Sequence, residues 1–262
     1  MEFYGKSYYF HLNFDKFLIH LWNKFIAACN RFIDIIRKFP KRLGRLFTHF
    51  VQALEQMQKL TTGDERPEKG SFIKRLSKWW IEFVILFLDI FGLPEIYETI
   101  MDFVKFNSRS LHHWEIKLAK EIFGDSINYK RVRIDELSMA GPKQKNFCYV
   151  SFCIINSWGR MQNSTLIHEL THVWQFERMG SVYIPQALLA QNSKMGYNYG
   201  GISALKAYRE QGKSFLSFNL EQQGDIISDY FRIKEGYQPR WGNGDRHDLS
   251  VYKHFVDQMR IE

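Results

Sequence analysis

Cysteine, proline and long apolar runs are all scarce in this chain of 262 residues. Its three cysteines, Cys29, Cys148 and Cys153, give neither an even disulfide framework nor the Cys-x-x-Cys spacing of a metal site. We expect the second and third to be core residues, because they lie in an apolar run. With only 6 prolines and no internal repeat, the sequence is not that of a disordered or fibrous protein. It predicts a disulfide-free globular protein made in a reducing compartment.

A secretory signal is also missing from the first residues. Signal peptides combine a basic start, an apolar middle and a small-residue cleavage site. This chain begins instead with the aromatic and acidic segment Met-Glu-Phe-Tyr. We therefore expect synthesis in the cytoplasm without a signal peptide.

Basic residues outnumber acidic ones, and the formal net charge is +8. Much of the excess lies in residues 1–59. A basic region can bind nucleic acid or an anionic membrane surface, or it can be a solvated helix face. No nucleic-acid-binding signature accompanies the charge, so we expect no nucleic-acid partner.

The first part of the chain has the apolar period of helices. Residues 14–39 form the first predicted helix, which Pro40 is expected to close, and residues 41–60 repeat the pattern. Two further helices are predicted over 71–91 and 95–106. The sequence therefore predicts several consecutive amphipathic helices.

Residues 71–91 are the most apolar part of the chain, within the segment 71–106 that carries the last two of these helices. Glu82 and Asp89 interrupt it, and the uncharged run between them is far shorter than the ~20 apolar residues of a membrane span. We therefore predict bundle helices here. Binding of this segment to a membrane surface is the alternative.

The pattern changes near residue 110. Residues 107–110 are predicted to be a linker between a helical region, 1–110, and a second domain, 111–262. In that domain, residues 129–135 and 147–155 have strand-like composition and precede several helices. The predicted fold class is therefore α+β and mainly helical, with a small sheet in the second domain.

The clearest chemical motif is His-Glu-x-x-His, from His168 to His172, within a predicted helix. Histidines four residues apart lie on one helix face, so two imidazoles can bind one metal ion. Glu169 follows the first histidine and can reach a metal-bound water. The same helix has an apolar side, and burying an unpaired histidine pair would be costly. The pattern therefore favours a catalytic zinc site over two unrelated surface histidines.

A catalytic zinc site needs three protein ligands and one open position. A third histidine at metzincin spacing is excluded, because Gln175 and Arg178 occupy that stretch. Glu221, near the start of a helix predicted over 219–235, is the preferred third ligand. Asp225 lies one turn further and can accept the ring N–H of a ligating histidine. The alternative carboxylates are Glu177, Glu210, Asp229 and Glu235.

The His-Glu-Leu-Thr-His motif, followed by Glu-x-x-x-Asp, resembles the gluzincin zinc metallopeptidases, of which thermolysin is a familiar member. This resemblance implies an active-site helix in a zincin-like domain. It further implies that His168, His172 and Glu221 bind Zn²⁺, that Glu169 is the general base, and that Asp225 is the partner of His168. The stretch between the second histidine and the third ligand is longer than in thermolysin, so the intervening loops must differ.

A wider resemblance covers roughly residues 114–262. It rests on FGDSINYKRV from Phe123, LIHELTHVWQ from Leu166, YNY from Tyr197 and NLEQQ from Asn219. These segments are similar to zincin domains of bacterial secreted toxins, which are often attached to type VI secretion spike and Rhs-type proteins. The resemblance implies an effector made in the bacterial cytoplasm and delivered to a target cell or periplasm. A spike protein and an immunity protein are the implied partners.

The expected reaction is hydrolysis of an amide bond in a peptide or protein. Zinc would lower the pKa of its bound water, and Glu169 would take the proton as that water attacks a carbonyl. A side chain would also stabilise the oxyanion. The candidates for that role are Tyr197, Tyr199, His247 and Tyr252.

Two other interpretations remain. The chain could be a non-catalytic protein of zincin fold that acts by binding or membrane perturbation through its N-terminal helices. It could also be a membrane-perturbing helical protein whose metal is structural. The presence of Glu169 argues against the first, because metal binding alone needs no base. An open coordination position would argue against the second.

Overall fold

The computed structural model describes residues 14–61, 69–105, 107–139, 141–145 and 147–261. Helices dominate these residues, and four short strands form one sheet, which confirms the α+β, mainly helical fold class. The helices are α1 (Phe14–Thr61), α2 (Lys69–Ile90), α3 (Leu93–Val104), α4 (His113–Phe123), α5 (Pro142–Lys145), α6 (Asn163–Met179), α7 (Tyr183–Gln191), α8 (Gly201–Glu210), α9 (Leu220–Lys234) and α10 (Leu249–Ile261).

The strands are β1 (Arg109–Ser110), β2 (Arg133–Asp135), β3 (Tyr149–Ser151) and β4 (Ile154–Asn156). Their order in the sheet is β1-β2-β4-β3. The central pair, β2 and β4, is parallel, whereas the two outer pairs are antiparallel. The third strand therefore lies at an edge, where one side of its backbone has no strand neighbour within the described residues.

The sheet corrects two predictions. Arg109 and Ser110 belong to β1 rather than to a linker, and Arg109 forms ion pairs with Glu115 and Glu136. The run predicted as one strand over 147–155 is a hairpin of β3 and β4. Its turn contains Phe152 at a φ of 60°. A strand pattern alone does not show where a run folds back on itself.

Helix α1 continues through Pro40, which was predicted to end it. Proline removes one backbone hydrogen bond and crowds the preceding turn, so a helix containing it needs support from elsewhere. Ion pairs on both sides give that support: Arg31 contacts Asp102, and Arg42 lies 2.6 Å from Glu95, both on α3. Tertiary contacts thus override the local helix-breaking signal.

The apolar core lies in the second half of the chain and surrounds α6 and α9. Every residue of α6 from Leu166 to Phe176 is buried, and most of α9 is buried too. The two helices pack directly against each other, and α10 also packs against α9. Residues on their facing sides are therefore held in a water-poor environment.

Helices α1, α2 and α3 pack together. They contact the second half through polar residues and through Leu93 and Tyr97 of α3, which pack against the apolar core. Asp89 on α2 accepts a hydrogen bond of 2.9 Å from the Ser181 backbone N–H. Arg131 lies 3.0 Å from Glu98 on α3. No helix within the described residues has both the length and the apolar composition that crossing a membrane requires.

Replacing Glu95 with alanine should destabilise the protein by about 3–5 kcal/mol, because it leaves buried cations without their shared partner. Glu95 is 1% exposed and contacts Arg42 at 2.6 Å, Lys38 at 3.3 Å and Arg131 at 3.5 Å. Urea unfolding measures the effect. The control is Glu55→Ala on the exposed side of α1, for which a change within about 0.5 kcal/mol is expected. Equal stability of the two variants would contradict a structural role for the network.

Candidate metal centre

Two histidines of α6 and one glutamate of α9 meet where these helices pack together. His168 and His172 lie one turn apart on α6 and face Glu221 in the first turn of α9. The Glu221 Oε2 atom is 3.3 Å from His168 Nε2 and 3.4 Å from His172 Nε2. One ligand atom from each residue lies within 4.8 Å of the other two, and all three residues are buried. The structure thus brings together the three residues predicted to bind zinc.

The spacing of these atoms fits a zinc ion. Zinc binds imidazole nitrogen and carboxylate oxygen at about 2.0–2.2 Å, so ligand atoms around a tetrahedral ion are about 3.4 Å apart. Both measured separations agree with that value. Glu221 Oε2 and Glu169 Oε2 are buried without a hydrogen-bond partner among the described residues. Such oxygens are costly unless a cation or its bound water satisfies them.

His168 is oriented by the carboxylate predicted for that task. Its Nδ1 lies 2.9 Å from Asp225 Oδ1, one turn after Glu221 on α9. The other oxygen of Asp225 accepts a hydrogen bond of 2.5 Å from the indole N–H of Trp241. The ring therefore donates through Nδ1 and leaves Nε2 directed towards Glu221. Such contacts behind a metal ligand fix its tautomer and increase its basicity.

A second buried carboxylate holds Trp241 in place. Asp229 accepts hydrogen bonds from the backbone N–H groups of Arg240 and Trp241, at 2.5 and 3.1 Å. It also accepts one of 2.7 Å from the Tyr199 hydroxyl, which lies 3.0 Å from that of Tyr252. Tyr199 and Tyr252 therefore support the residues behind the site.

His172 has a partner that the sequence reasoning missed. Its Nδ1 lies 2.8 Å from the Oε1 atom of Gln175, three residues further along α6. The amide of Gln175 donates in turn to the Leu220 carbonyl and to Gln223 on α9. The sequence signal for this contact is a glutamine one turn after a candidate ligand. In the sequence analysis, Gln175 was used only to exclude a third histidine at metzincin spacing.

Gly224 is a second residue that the sequence reasoning missed. It lies on α9 between Glu221 and Asp225, and a Cβ atom at this position would be 2.7 Å from Cε1 of His168. Glycine is a poor helix former, so its presence in a buried helix signals a close approach. Here it allows the imidazole to lie against the backbone of α9.

The charges of the site are strongly coupled in the metal-free protein. Burial alone would lower the pKa values of both imidazoles, but Asp225 and Glu221 raise the pKa of His168 to about 10. Glu221 likewise raises the pKa of His172 above its usual value. Burial would raise the pKa of Glu221, yet the two imidazoles lower it to about 2. The metal-free site therefore keeps His168 protonated at neutral pH.

Glu169 lies beside the ligands in a cleft of about 750 Å³. Burial raises the pKa of this carboxyl, although His168 and His172 oppose the effect. A raised pKa suits a group that must accept and return a proton near neutral pH. The cleft is also lined by β3 and by residues of α7.

The four candidates for stabilising an oxyanion lie in different places. Tyr197 is half-buried and lines the cleft, with its ring 5.9 Å from that of His168. Tyr199 and Tyr252 are buried behind the site, and His247 is exposed on a short 3₁₀ turn, Arg246–Asp248. These three are not among the cleft-lining residues.

The two cysteines predicted to be core residues differ in how deeply they are buried. Cys153 is fully buried, as predicted. The prediction is wrong for Cys148, which is only partly buried and lines the cleft. Strand composition does not distinguish a residue of the core from one at the mouth of a cavity.

Comparison with known proteins gives one informative similarity. The chain is 34% identical over 143 residues to the type VI secretion system spike protein VgrG2b of Pseudomonas aeruginosa. The match spans 49% of this chain but only 13% of that protein's length. No family model and no solved structure matches the chain.

Replacing Gly224 with alanine should weaken zinc binding about tenfold or more, the range seen when residues behind a metal ligand are changed. Helix propensity alone would favour alanine by about 1 kcal/mol, so loss of affinity is specific to the contact with His168. Competition with a chromogenic chelator measures the affinity. Glu221→Ala supplies the reference for a lost ligand.

The matched control is Ser228→Ala, one turn further along α9, where the hydroxyl donates to the Ser164 carbonyl at 3.0 Å. Its zinc affinity should equal that of the wild type. Wild-type affinity in Gly224→Ala would show that the ring does not need this space.

Zinc binding should release at least one proton per ion at about pH 7, because the raised pKa of His168 keeps that ring protonated until the metal displaces the proton. The pKa of His168 in the metal-free protein is raised to about 10, so the protonated ring dominates at any pH below that value. Apparent affinity should therefore fall as the pH falls, by about tenfold per unit for each proton displaced. Calorimetry in two buffers of different ionisation enthalpy counts the protons. Binding heats that do not depend on the buffer would contradict the assignment.

Proposed function

We propose that this chain is a zinc-dependent peptidase that acts as an effector of a type VI secretion system. The proposal rests on the position of Glu169. Its carboxylate is buried beside the cluster of His168, His172 and Glu221, and one of its oxygens has no hydrogen-bond partner among the described residues. A purely structural zinc site is closed by four protein ligands and needs no such base. Hydrolytic zinc sites combine three protein ligands with a neighbouring carboxylate, and the candidate site has the same composition.

Zinc, when bound, supplies a Lewis acid that polarises a carbonyl and lowers the pKa of a water ligand. His168, His172 and Glu221 would hold it, leaving one side open to the cleft. Glu169 would accept the proton of the attacking water and pass it to the leaving nitrogen. Its raised pKa supports this exchange. The residues behind the ligands keep the two imidazoles in the required tautomer.

Tyr197 is the best placed of the four candidates to stabilise the oxyanion. Its hydroxyl accepts a hydrogen bond of 2.9 Å from the Gln191 side chain, which leaves its own proton available for donation. Burial, together with Glu221 and Glu169, raises the pKa of the phenol, so the proton is retained. A donor directed at developing negative charge stabilises the transition state.

The shape of the cleft supports a peptide substrate. Edge strand β3 lines the same cavity as the metal cluster. An extended peptide can add to an exposed strand edge through backbone hydrogen bonds, whatever its side chains. Such pairing would bring a substrate carbonyl close to the cluster of His168, His172 and Glu221.

The proposed delivery route rests on the comparison. The relative is a spike protein of a type VI secretion system, and the shared part is a small fraction of it. We infer that the present chain carries the cargo part and travels with a spike. Peptide or protein substrates in the target cell or periplasm, and an immunity protein in the producing cell, complete the proposal.

Glu169→Gln should keep the zinc content of the wild type and lose peptidase activity by about 10²–10⁴-fold, the usual contribution of a general base. Activity is measured on unfolded proteins and on bacterial extract, with zinc content determined in the same samples. Toxicity is followed after expression directed to the bacterial cytoplasm and to the periplasm. Glu210→Gln, an exposed position on α8, is the control and should remain fully active.

Two results would contradict the proposal. One is full cleavage or toxicity by the zinc-loaded Glu169→Gln protein. The other is a zinc-loaded wild type that neither cleaves any protein nor harms cells in either compartment, which would leave a binding role.

A further inference from the structure

The N-terminal helices carry much of their apolar surface on the outside. On α1, Phe32, Phe47 and Leu54 are 65%, 69% and 65% exposed. On α2, Ile73 and Trp80 are 67% and 52% exposed. We call this surface the outer apolar face and define it as the exposed apolar side chains of α1, α2 and α3, which on α3 include Ile96 and Ile100.

The inner side of the same helices is charged. Arg31 and Arg42 of α1 are buried against Glu95, Glu98 and Asp102 of α3. This distribution is the reverse of that in the second half of the chain, where buried apolar residues form the core. A folded protein leaves so large an apolar surface exposed only where another apolar phase or partner covers it.

The charges that remain exposed on these helices are mainly basic. Asp102 and its acidic neighbours on α3 are buried in the inner network. By contrast, Arg37 on α1 and Lys74 on α2 are exposed. Lys41 and Lys78 are exposed as well, but Lys41 donates to the Glu177 carbonyl at 3.4 Å and Lys78 lies 3.8 Å from Glu82. The surface therefore combines aromatic and aliphatic side chains with positive charge, which is the composition of helices that lie in a membrane interface.

The outer apolar face is too wide for a single partner helix. A stripe at steps of three and four, such as Leu18, Trp22 and Phe25, would suit a two-helix seam. Ile19 and Ile26 extend the exposed apolar arc beyond that stripe. The face also continues onto α2 and α3. A fluid lipid surface can cover all three helices, whereas one helix of a second copy covers only a narrow seam.

We propose that the outer apolar face binds the surface of an anionic lipid bilayer. The apolar side chains enter the region between headgroups and acyl chains, and the basic side chains contact lipid phosphates. This function goes beyond the proposed peptidase activity and does not depend on it. Membrane binding would hold the catalytic half of the same chain close to the bilayer.

Vesicle co-sedimentation of the full chain tests the proposal. Wild-type protein and Glu169→Gln should both bind vesicles of phosphatidylcholine mixed with phosphatidylglycerol. Binding to phosphatidylcholine alone should be about tenfold weaker or more, and added salt should weaken the anionic binding, because headgroup attraction is screened. The double variant Phe32→Glu/Phe47→Glu should lose affinity by about tenfold or more, because two buried contacts with lipid are removed.

The matched control is Tyr237→Glu, which changes a residue that is 66% exposed in the second half of the chain. It should bind vesicles like the wild type. Circular dichroism and zinc content should be equal in the wild type, the double variant and Tyr237→Glu, since the side chains that these two variants change are exposed. These two readouts separate loss of lipid binding from loss of folding or of the metal site.

Three outcomes would overturn the proposal. The wild type could fail to bind either vesicle, or the double variant could bind as well as the wild type. A wild-type dimer in analytical ultracentrifugation, abolished by the double variant and unaffected by vesicles, would assign the face to a second copy of the chain.

Discussion

The second half of the structure depends on one interaction, the contact of the buried Glu221 carboxylate with the imidazoles of His168 and His172. Two long helices, α6 and α9, must lie in direct contact to bring these side chains together. Burying one carboxylate with two imidazoles is costly unless each atom is satisfied. The surrounding residues meet part of that requirement, because Asp225 and Gln175 accept from the two rings. One oxygen each of Glu221 and Glu169 has no hydrogen-bond partner among the described residues, as the proposed metal and its water would require.

Some of this site follows from sequence because it is local. Four-residue spacing fixes the relation of the two histidines, and the same rule relates Glu221 to Asp225 within α9. Gln175 and Gly224 were missed, since their importance comes from contacts between helices rather than from spacing within one. The tyrosines predicted to stabilise an oxyanion show the same limit: Tyr197 lines the cleft, whereas Tyr199 is held behind the site by Asp229.

The fold was predictable to a similar degree. The helical spacing of apolar residues predicted most of the helices. It did not predict that α1 runs through Pro40, because the ion pairs on both sides that tie α1 to α3 are tertiary contacts. Strand pairing could not be read from composition, so β1 was interpreted as a linker. The burial of charge in α1–α3 was equally hidden, because helical period shows that two faces differ and not which one lies inside. The chain thus combines a half with an apolar core and a half with a charged interior.

Anomalous diffraction from crystals of the zinc-loaded protein tests the central claim most directly. Our account predicts one zinc peak within about 2.0–2.2 Å of His168 Nε2, His172 Nε2 and a Glu221 oxygen. A water should occupy the fourth position, within hydrogen-bonding reach of Glu169. A peak elsewhere, or a fourth protein ligand that closes the coordination shell, would contradict the assignment of a hydrolytic zinc centre.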